Sequence, residues 1–390
     1  MQQDEPQRGF AQSEFETRLE KAQKKLIERG LKGLLLMTEP EVRYFSGFLT
    51  LFWQSPTRPW FLFVPSEGKP IAIIPEIGAA LMQRTWLDDI RTWSAPCPHD
   101  DGISLLVDLL GSISTNTSRI GLMKGHESML RMPLGDLEQL QAGLPKINFE
   151  DATDLVRDLR MVKSEAEIEK TAYICGCASR TFDQANSLFH SGQPLRTAFR
   201  EFKIACMQNG ADDVPYLVGG AGPGGYDDII SPPATRALRD GDILMLDTGS
   251  VFDGYFCDFD RNFAIKTADE QSQNAYRVLY EATQAGLAAA RPGTTCRELF
   301  QAMRTVTARV DPSGGEVGRM GHGLGMQLTE WPSNADFDNT VLEAGMVITL
   351  EPSLKYAEGL TMVHEENIVV RDGPPQMLST RAPAELPIIG

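Results

Sequence analysis

Apolar positions mark out the chain's elements before any chemistry is considered. Phe15, Leu19, Ala22 and Leu26 recur at spacings of three and four, which predicts a helix over 13–28, stopped by Gly30. The stretches 34–37, 60–64 and 71–74 are short and almost wholly apolar, as buried strands are. Helix-like and strand-like segments alternate to about residue 155, which predicts a small α/β domain. Ser164 and Glu167 then fit a capping box. Ile168, Ala172, Cys175, Ala178, Phe182, Ala185 and Phe189 follow at helical spacing, so the boundary is placed before this helix, giving domains 1–158 and 159–390. The second domain reads as helix, helix, strand, strand, twice over. The first half is 164–190, 195–208 and a hairpin at 242–265, and the second is 270–290, 294–309, 346–351 and 361–370. The expected fold class is a two-domain α/β chain: a small N-terminal α/β domain, then an α+β domain with a pseudo-twofold repeat. One sheet with helices on one face satisfies that repeat.

Composition narrows the function. The hydrophobic share of 42% is that of an ordinary globular protein. The net charge of −16 disfavours nucleic acid as a partner. No apolar run is long enough for a membrane span, and residues 1–8 lack the apolar stretch of an export signal, so a cytoplasmic protein is expected. The six cysteines form no CxxC pair and read as reduced thiols, with Cys175 and Cys177 as packing residues.

Candidate chemistry gathers in the last third of the chain. Asp247 and Asp258 flank a turn near 252–254, so they face each other directly or diagonally, with Cβ atoms about 5 Å apart when opposed. Asp260 shares that face. The plain reading of such a hairpin is a solvated acidic surface. His322 sits in Gly321-His322-Gly323-Leu324-Gly325, where flanking glycines let the backbone approach closely. His99, His126 and His190 have no such context, and His364 is expected on the opposite strand face from Glu365. Glu351 ends an apolar strand before Pro352, and Glu365 lies inside the apolar run 362–370, where a carboxylate needs a partner. Four carboxylates gathered in a dry pocket need cations, because burying one unpaired ion costs several kcal/mol. The glycine-rich stretch 219–225 reads as a flexible loop and lacks the Gly-Lys-Ser/Thr ending of a phosphate loop.

These residues resemble the pita-bread metallohydrolases, the family of Xaa-Pro aminopeptidases, prolidases, methionine aminopeptidases and creatinase. The family's ordered donors fall on Asp247, Asp258 eleven residues later, His322, Glu351 and Glu365. Tyr44-Phe45-Ser46-Gly47-Phe48, Arg291-Pro292-Gly293 and Glu330-Trp331-Pro332 also fit, so the resemblance covers nearly the whole chain, including a creatinase-like N-terminal domain. It implies two divalent metal ions; oxygen-rich ligation with one imidazole suits manganese, cobalt, iron or zinc. It also implies Glu351 as proton shuttle, Asp260 as an added ligand or base, and Tyr226, Asp228 and Thr329 near the substrate. Trp53 and Arg58 fall where one subunit of the relatives reaches its neighbour's site, which implies a homodimer. Three outer positions depart from the family: Ile230 and Thr329 stand where histidines are usual, and Val363 where an arginine is. Asp260 replaces a threonine. The expected function is therefore a dinuclear Xaa-Pro dipeptidase-like or aminopeptidase-like metallopeptidase with an altered specificity pocket. The alternative is a metal-dependent hydrolase or lyase acting on a small osmolyte-like or amidine-like molecule. A catalytically silent scaffold is the weakest reading, because all five donors are present.

Overall fold

The computed structural model describes residues 4–55, 58–114, 117–312 and 318–390. The chain divides into two compact units, Gln7–Arg160 and a second whose main body is Met161–Gly390.

In the first unit, helix α1 (Gln12–Arg29) buries Phe15, Leu19, Ala22 and Leu26, and Gly30 ends it in the left-handed conformation at φ 66°. There follow β1 (Gly33–Leu36), α2 (Glu39–Ser46), β2 (Phe61–Pro65), β3 (Ile71–Pro75), α3 (Ala79–Met82), β4 (Asp89–Trp93), α4 (Ile103–Ile113), β5 (Ser118–Leu122), α5 (Leu134–Gly143), β6 (Ile147–Asp151) and α6 (Thr153–Met161). The six strands make one mixed sheet in the order β4-β3-β2-β1-β5-β6. Leu35, Phe61, Ile73 and Ile120 from the sheet pack on Leu106 and Leu110 of α4.

The second unit opens with α7 (Glu165–Phe182), whose N-terminus carries the capping box: Ser164 accepts from the Glu167 amide, and Glu167 reaches back. The helix expected over 164–190 ends at Phe182, and a separate turn, α8 (Ala185–Leu188), follows. Next come α9 (Leu195–Gln208), β7 (Asp213–Pro223), β8 (Asp242–Phe252), β9 (Tyr255–Phe256), β10 (Phe259–Ile265), α10 (Glu270–Ala289) and α11 (Cys296–Thr307). The chain closes with β11 (His322–Gly323), β12 (Glu330–Ser333), β13 (Val347–Leu350), β14 (Ser353–Ala357), β15 (Leu360–Val363), β16 (Glu366–Val369), β17 (Gln376–Met377) and β18 (Ile388–Ile389).

Helix pairs and strands thus alternate twice, but the strands do not form one sheet. Hydrogen bonding separates β18-β10-β8-β7, with β9 on β8, from β12-β11-β13-β16-β17, and leaves β14-β15 as a hairpin. Leu244 and Leu246 of β8 join Phe182, Phe202, Phe259 and Phe263 in one core. Ile243 and Met245, on the other face of β8, join Tyr276, Leu279, Met303, Ile348 and Ile368 in a second. The inner part of β8 is therefore covered on both faces, and helices on one face alone do not describe it.

Most of the glycine-rich stretch is strand rather than loop; only Gly224 and Gly225 fall in the turn beyond it. Residues 219–223 are the end of β7, paired along β8 from Gly219↔Leu246 to Pro223↔Asp242. Gly219 has φ 147°, and a Cβ there would lie 2.1 Å from the Met245 carbonyl oxygen. Its glycine permits a tight strand contact rather than mobility.

Candidate metal centre

The five donors identified in the sequence come together, Asp247 from the middle of a strand and the other four at or beside strand ends. Asp247 lies on β8, Asp258 in the gap between β9 and β10, and His322 opens β11. Glu351 follows β13, and Glu365 falls between β15 and β16. The run expected as one strand over 361–370 is two strands in different sheets, broken at His364-Glu365. The break turns Glu365 out of the ladder and into the cluster. In the β8–β10 ladder Asp260 stands directly opposite Asp247, so Asp258 is the diagonal neighbour.

Two groups of three donors result, each with its ligand atoms within 4.8 Å of one another: Asp258, His322 and Glu351, and Asp247, Asp258 and Glu365. Asp258 belongs to both. Asp247, Asp258, His322 and Glu365 are buried, and Glu351 is half-buried. Among the described residues, Asp247 Oδ1 and Glu365 Oε2 are buried without a hydrogen-bond partner. Oxygens left so are costly unless something positive meets them.

The electrostatics of the ion-free site agree. Burial, then Asp258, Asp260 and Glu351, push Asp247 well above the carboxylate range. Burial, then Asp247 and Glu351, do the same to Glu365. Burial pushes Asp258 up to about 6 against the pull of His322. For His322, burial favours the neutral ring, but Glu351 and Asp258 outweigh it and raise the ring well above its ordinary value. Its Nε2 lies 3.0 Å from Glu351 Oε1 and 3.3 Å from Asp258 Oδ2, so a protonated imidazole fills the place of a cation. His322 Nδ1 is 2.9 Å from the Gly323 carbonyl oxygen. That contact assigns the Nδ1 proton and leaves Nε2 for an ion. Hard oxygens, one imidazole and buried acceptors without donors fit divalent cations.

The other expected site residues fall into several places. Asp260 is buried beside Asp247 but belongs to neither group of three; its Oδ2 accepts from Asn262 Nδ2 at 2.6 Å. The buried Tyr226 hydroxyl donates to Asn262 Oδ1 at 2.8 Å and accepts from the Val363 amide at 3.0 Å, a bridge within the protein. Asp228 is exposed and accepts from the amides of Ile230 and Ser231, both at 3.0 Å, closing its own turn. Thr329 is half-buried between β11 and β12, Ile230 is exposed and Val363 is buried. Trp53 and Arg58 lie in the first unit. There Arg131 donates to the carbonyls of Trp53 and Arg58 and stacks 5.1 Å from the Trp53 ring. His364 is buried, with Nδ1 3.0 Å from Thr283 Oγ1, and burial pushes it down to about 3.

Sequence reasoning missed three residues around the cluster. Thr349 Oγ1 accepts from the His322 amide at 2.9 Å and donates to Glu351 Oε1. Its signal was its place two residues before Glu351 on the same strand face. The Tyr216 hydroxyl lies against Asp247, and burial followed by Asp247, Asp258 and Glu365 raises it. Opposite Tyr216 is Gly249, whose missing side chain leaves room for the ring; a Cβ there would lie 3.0 Å from Tyr216 Cβ. Asn367 is the third. No pattern in the sequence points to Tyr216.

A buried cluster of carboxylates around one imidazole, carried on the strands between helix pairs, fits a metal-dependent hydrolase. Residues 169–372 match the model of metallopeptidase family M24, and residues 18–162 match that of the creatinase/prolidase N-terminal domain. The chain belongs to metallopeptidase family M24. It is 27% identical over 368 residues to a probable dipeptidase PepE of Mycobacterium bovis, covering 93% of each chain. It is 27% identical over 259 residues to an Xaa-Pro dipeptidase of Pyrococcus horikoshii, covering 66% of this chain and 73% of that one. The crystal structure of dipeptidase PepE from Mycobacterium ulcerans superposes with a TM-score of 0.84 at 26% identity, over 98% of this chain and 99% of that one. Among the described residues, no helix is long and apolar enough to cross a membrane.

Proposed function

We propose that this chain is a two-metal dipeptidase of the Xaa-Pro type with an altered substrate pocket. The observation that carries the reading is the sharing of Asp258 between two donor groups, with buried oxygens of Asp247 and Glu365 left for cations. One ion would be held by Asp247, Asp258 and Glu365, the other by Asp258, His322 and Glu351. Divalent ions bound there supply Lewis acidity toward a scissile carbonyl and lower the pKa of a water. Manganese, cobalt, iron and zinc all suit the donors.

The chain's own groups do the rest. Glu351 is held by Thr349 and His322, and its carboxylate carries a proton to the departing nitrogen. Tyr216, kept protonated by its surroundings, offers an O–H at the edge of the cluster. Asp260, opposite Asp247, adds negative charge beside the first ion position. Tyr226 ties β10 to β15 and so steadies the break that carries Glu365. The dipeptidase names borne by relatives over most of this chain's length support the substrate class. A cytoplasmic homodimer completes the reading, and its mass in solution checks the assembly.

A second reading rests on the outer positions. With Ile230, Thr329 and Val363 in place of polar family residues, the pocket also suits a small non-peptide substrate cleaved at a C–N bond. The test is a panel of Xaa-Pro and other dipeptides, assayed with ion-free and manganese-loaded protein. Manganese-dependent turnover that falls to background in Asp258→Ala supports the peptidase. A silent panel from protein that binds two ions tightly favours the second reading. Full turnover by the ion-free protein would sink both.

A further inference from the structure

We infer that Asn367 is the positioning residue that sets Asp258, the carboxylate common to both donor groups, where two ions would meet it; the inference rests on the two-ion reading above. Asp258 lies in the gap between β9 and β10, and the β8–β10 ladder begins only at Phe259↔Thr248. Its backbone therefore has no partner from that ladder. The Asn367 side chain takes that place. Its Oδ1 accepts from the Asp258 amide at 2.9 Å, and its Nδ2 donates to the Asp258 carbonyl. An asparagine amide offers an acceptor and a donor side by side, which matches a peptide unit. Aspartate lacks the donor, and an aliphatic residue lacks both groups.

Asn367 is itself firmly placed. It is fully buried on β16, its N–H donates to Ser379 Oγ at 3.1 Å, and its carbonyl accepts from the Leu378 amide at 2.9 Å. Cys175 Sγ donates to the same Oδ1 at 3.3 Å, which fixes the amide's orientation. On the adjacent strand, Asn367 pairs directly with Thr349, the residue that holds the His322 amide and the Glu351 carboxylate. Two opposed side chains on β13 and β16 thus set all three members of one donor group. Asn367 alone governs the member that the other group also needs.

A merely structural asparagine would lower stability and leave ion binding intact. A positioning asparagine weakens both ions together, because both depend on Asp258. Ion-free wild type, Asn367→Asp, Asn367→Ser and Asp247→Ala are titrated with Mn2+ by calorimetry, and their ion-free melting temperatures are recorded. The expected result is that both dissociation constants of the Asn367 variants rise by about 10–100-fold. Asp247→Ala is expected to weaken the ion of its own group far more than the other. Two ions bound by the folded Asn367 variants as tightly as by wild type, or only one of the two weakened, overturn the inference. Wild type that takes up no ion overturns the two-ion reading and this inference with it. Should neither Asn367 variant fold, hydrogen exchange of ion-free wild type decides. A protected Asp258 amide is expected, and exchange at the rate of an open loop overturns the inference.

Discussion

Gly321 shows how much a single position decides at this centre. Its φ is 131°, and a Cβ there would lie 2.2 Å from the Thr349 carbonyl oxygen, so only glycine lets β11 lie against β13 and bring His322 to Glu351. The glycines around His322 were legible in the sequence as a mark of close approach. The partner they approach was not, because it lies on a strand far away in the chain. Asp258 carries a testable consequence. Its carboxyl is pushed up to about 6 in the ion-free protein, against an ordinary value of 3.8. Between those values the folded protein keeps a proton that the unfolded chain releases, so this group's contribution is full below about 4 and fades as pH rises through about 6. Ion-free wild type should therefore gain on Asp258→Asn as pH falls from about 6 to about 4. Ion-loaded wild type should show no such gain, because a cation has displaced the proton. Melting temperatures of the three samples across that range check this, and parallel curves for ion-free wild type and Asp258→Asn would refute it.

At the scale of elements, buried ion pairs tie α7 and the residue before it to the strands and turns near the donors. Lys170 on α7 meets Asp253 in the β8–β9 turn at 2.7 Å, with side chains only 2% and 4% exposed. Lys163, just before α7, meets Glu330 at the start of β12 at 3.0 Å. Removing one member of such a pair leaves a buried charge uncompensated, so Lys170→Met should cost about 3–5 kcal/mol in urea unfolding. Adding Asp253→Asn should recover much of that loss, and a single variant as stable as wild type would count against the pair. Helix starts were readable because capping is local: Ser164 and Glu167 predict the start of α7 from four residues. The break at His364-Glu365 and the strand character of 219–223 were not readable. Apolar runs and glycine runs do not say which neighbour will pair with them. Gly219 is in a strand because β8 comes within reach of its backbone.

For the whole molecule, all five donors lie in Met161–Gly390, and the first unit has its own sheet and core. A fragment spanning 7–160 should melt cooperatively by itself, with a transition that manganese does not move. The full chain should show a manganese-dependent rise. Binding at 100 times the dissociation constant contributes about 2.7 kcal/mol per site. A fragment shifted by manganese, or a full chain that is not, would contradict this assignment.

The sequence by itself determined the donor types, their order, the glycine cage around His322, and the helix and strand succession of two domains. Those are matters of side-chain chemistry and short-range periodicity. The tertiary structure alone decided that Asp258 is shared between two groups, that Asp260 stands outside both, and that Asn367 and Thr349 brace the cluster. Asp258 and Asn367 are 109 residues apart along the chain. Their contact depends on how two separately hydrogen-bonded sheets abut, and no local pattern encodes that distance.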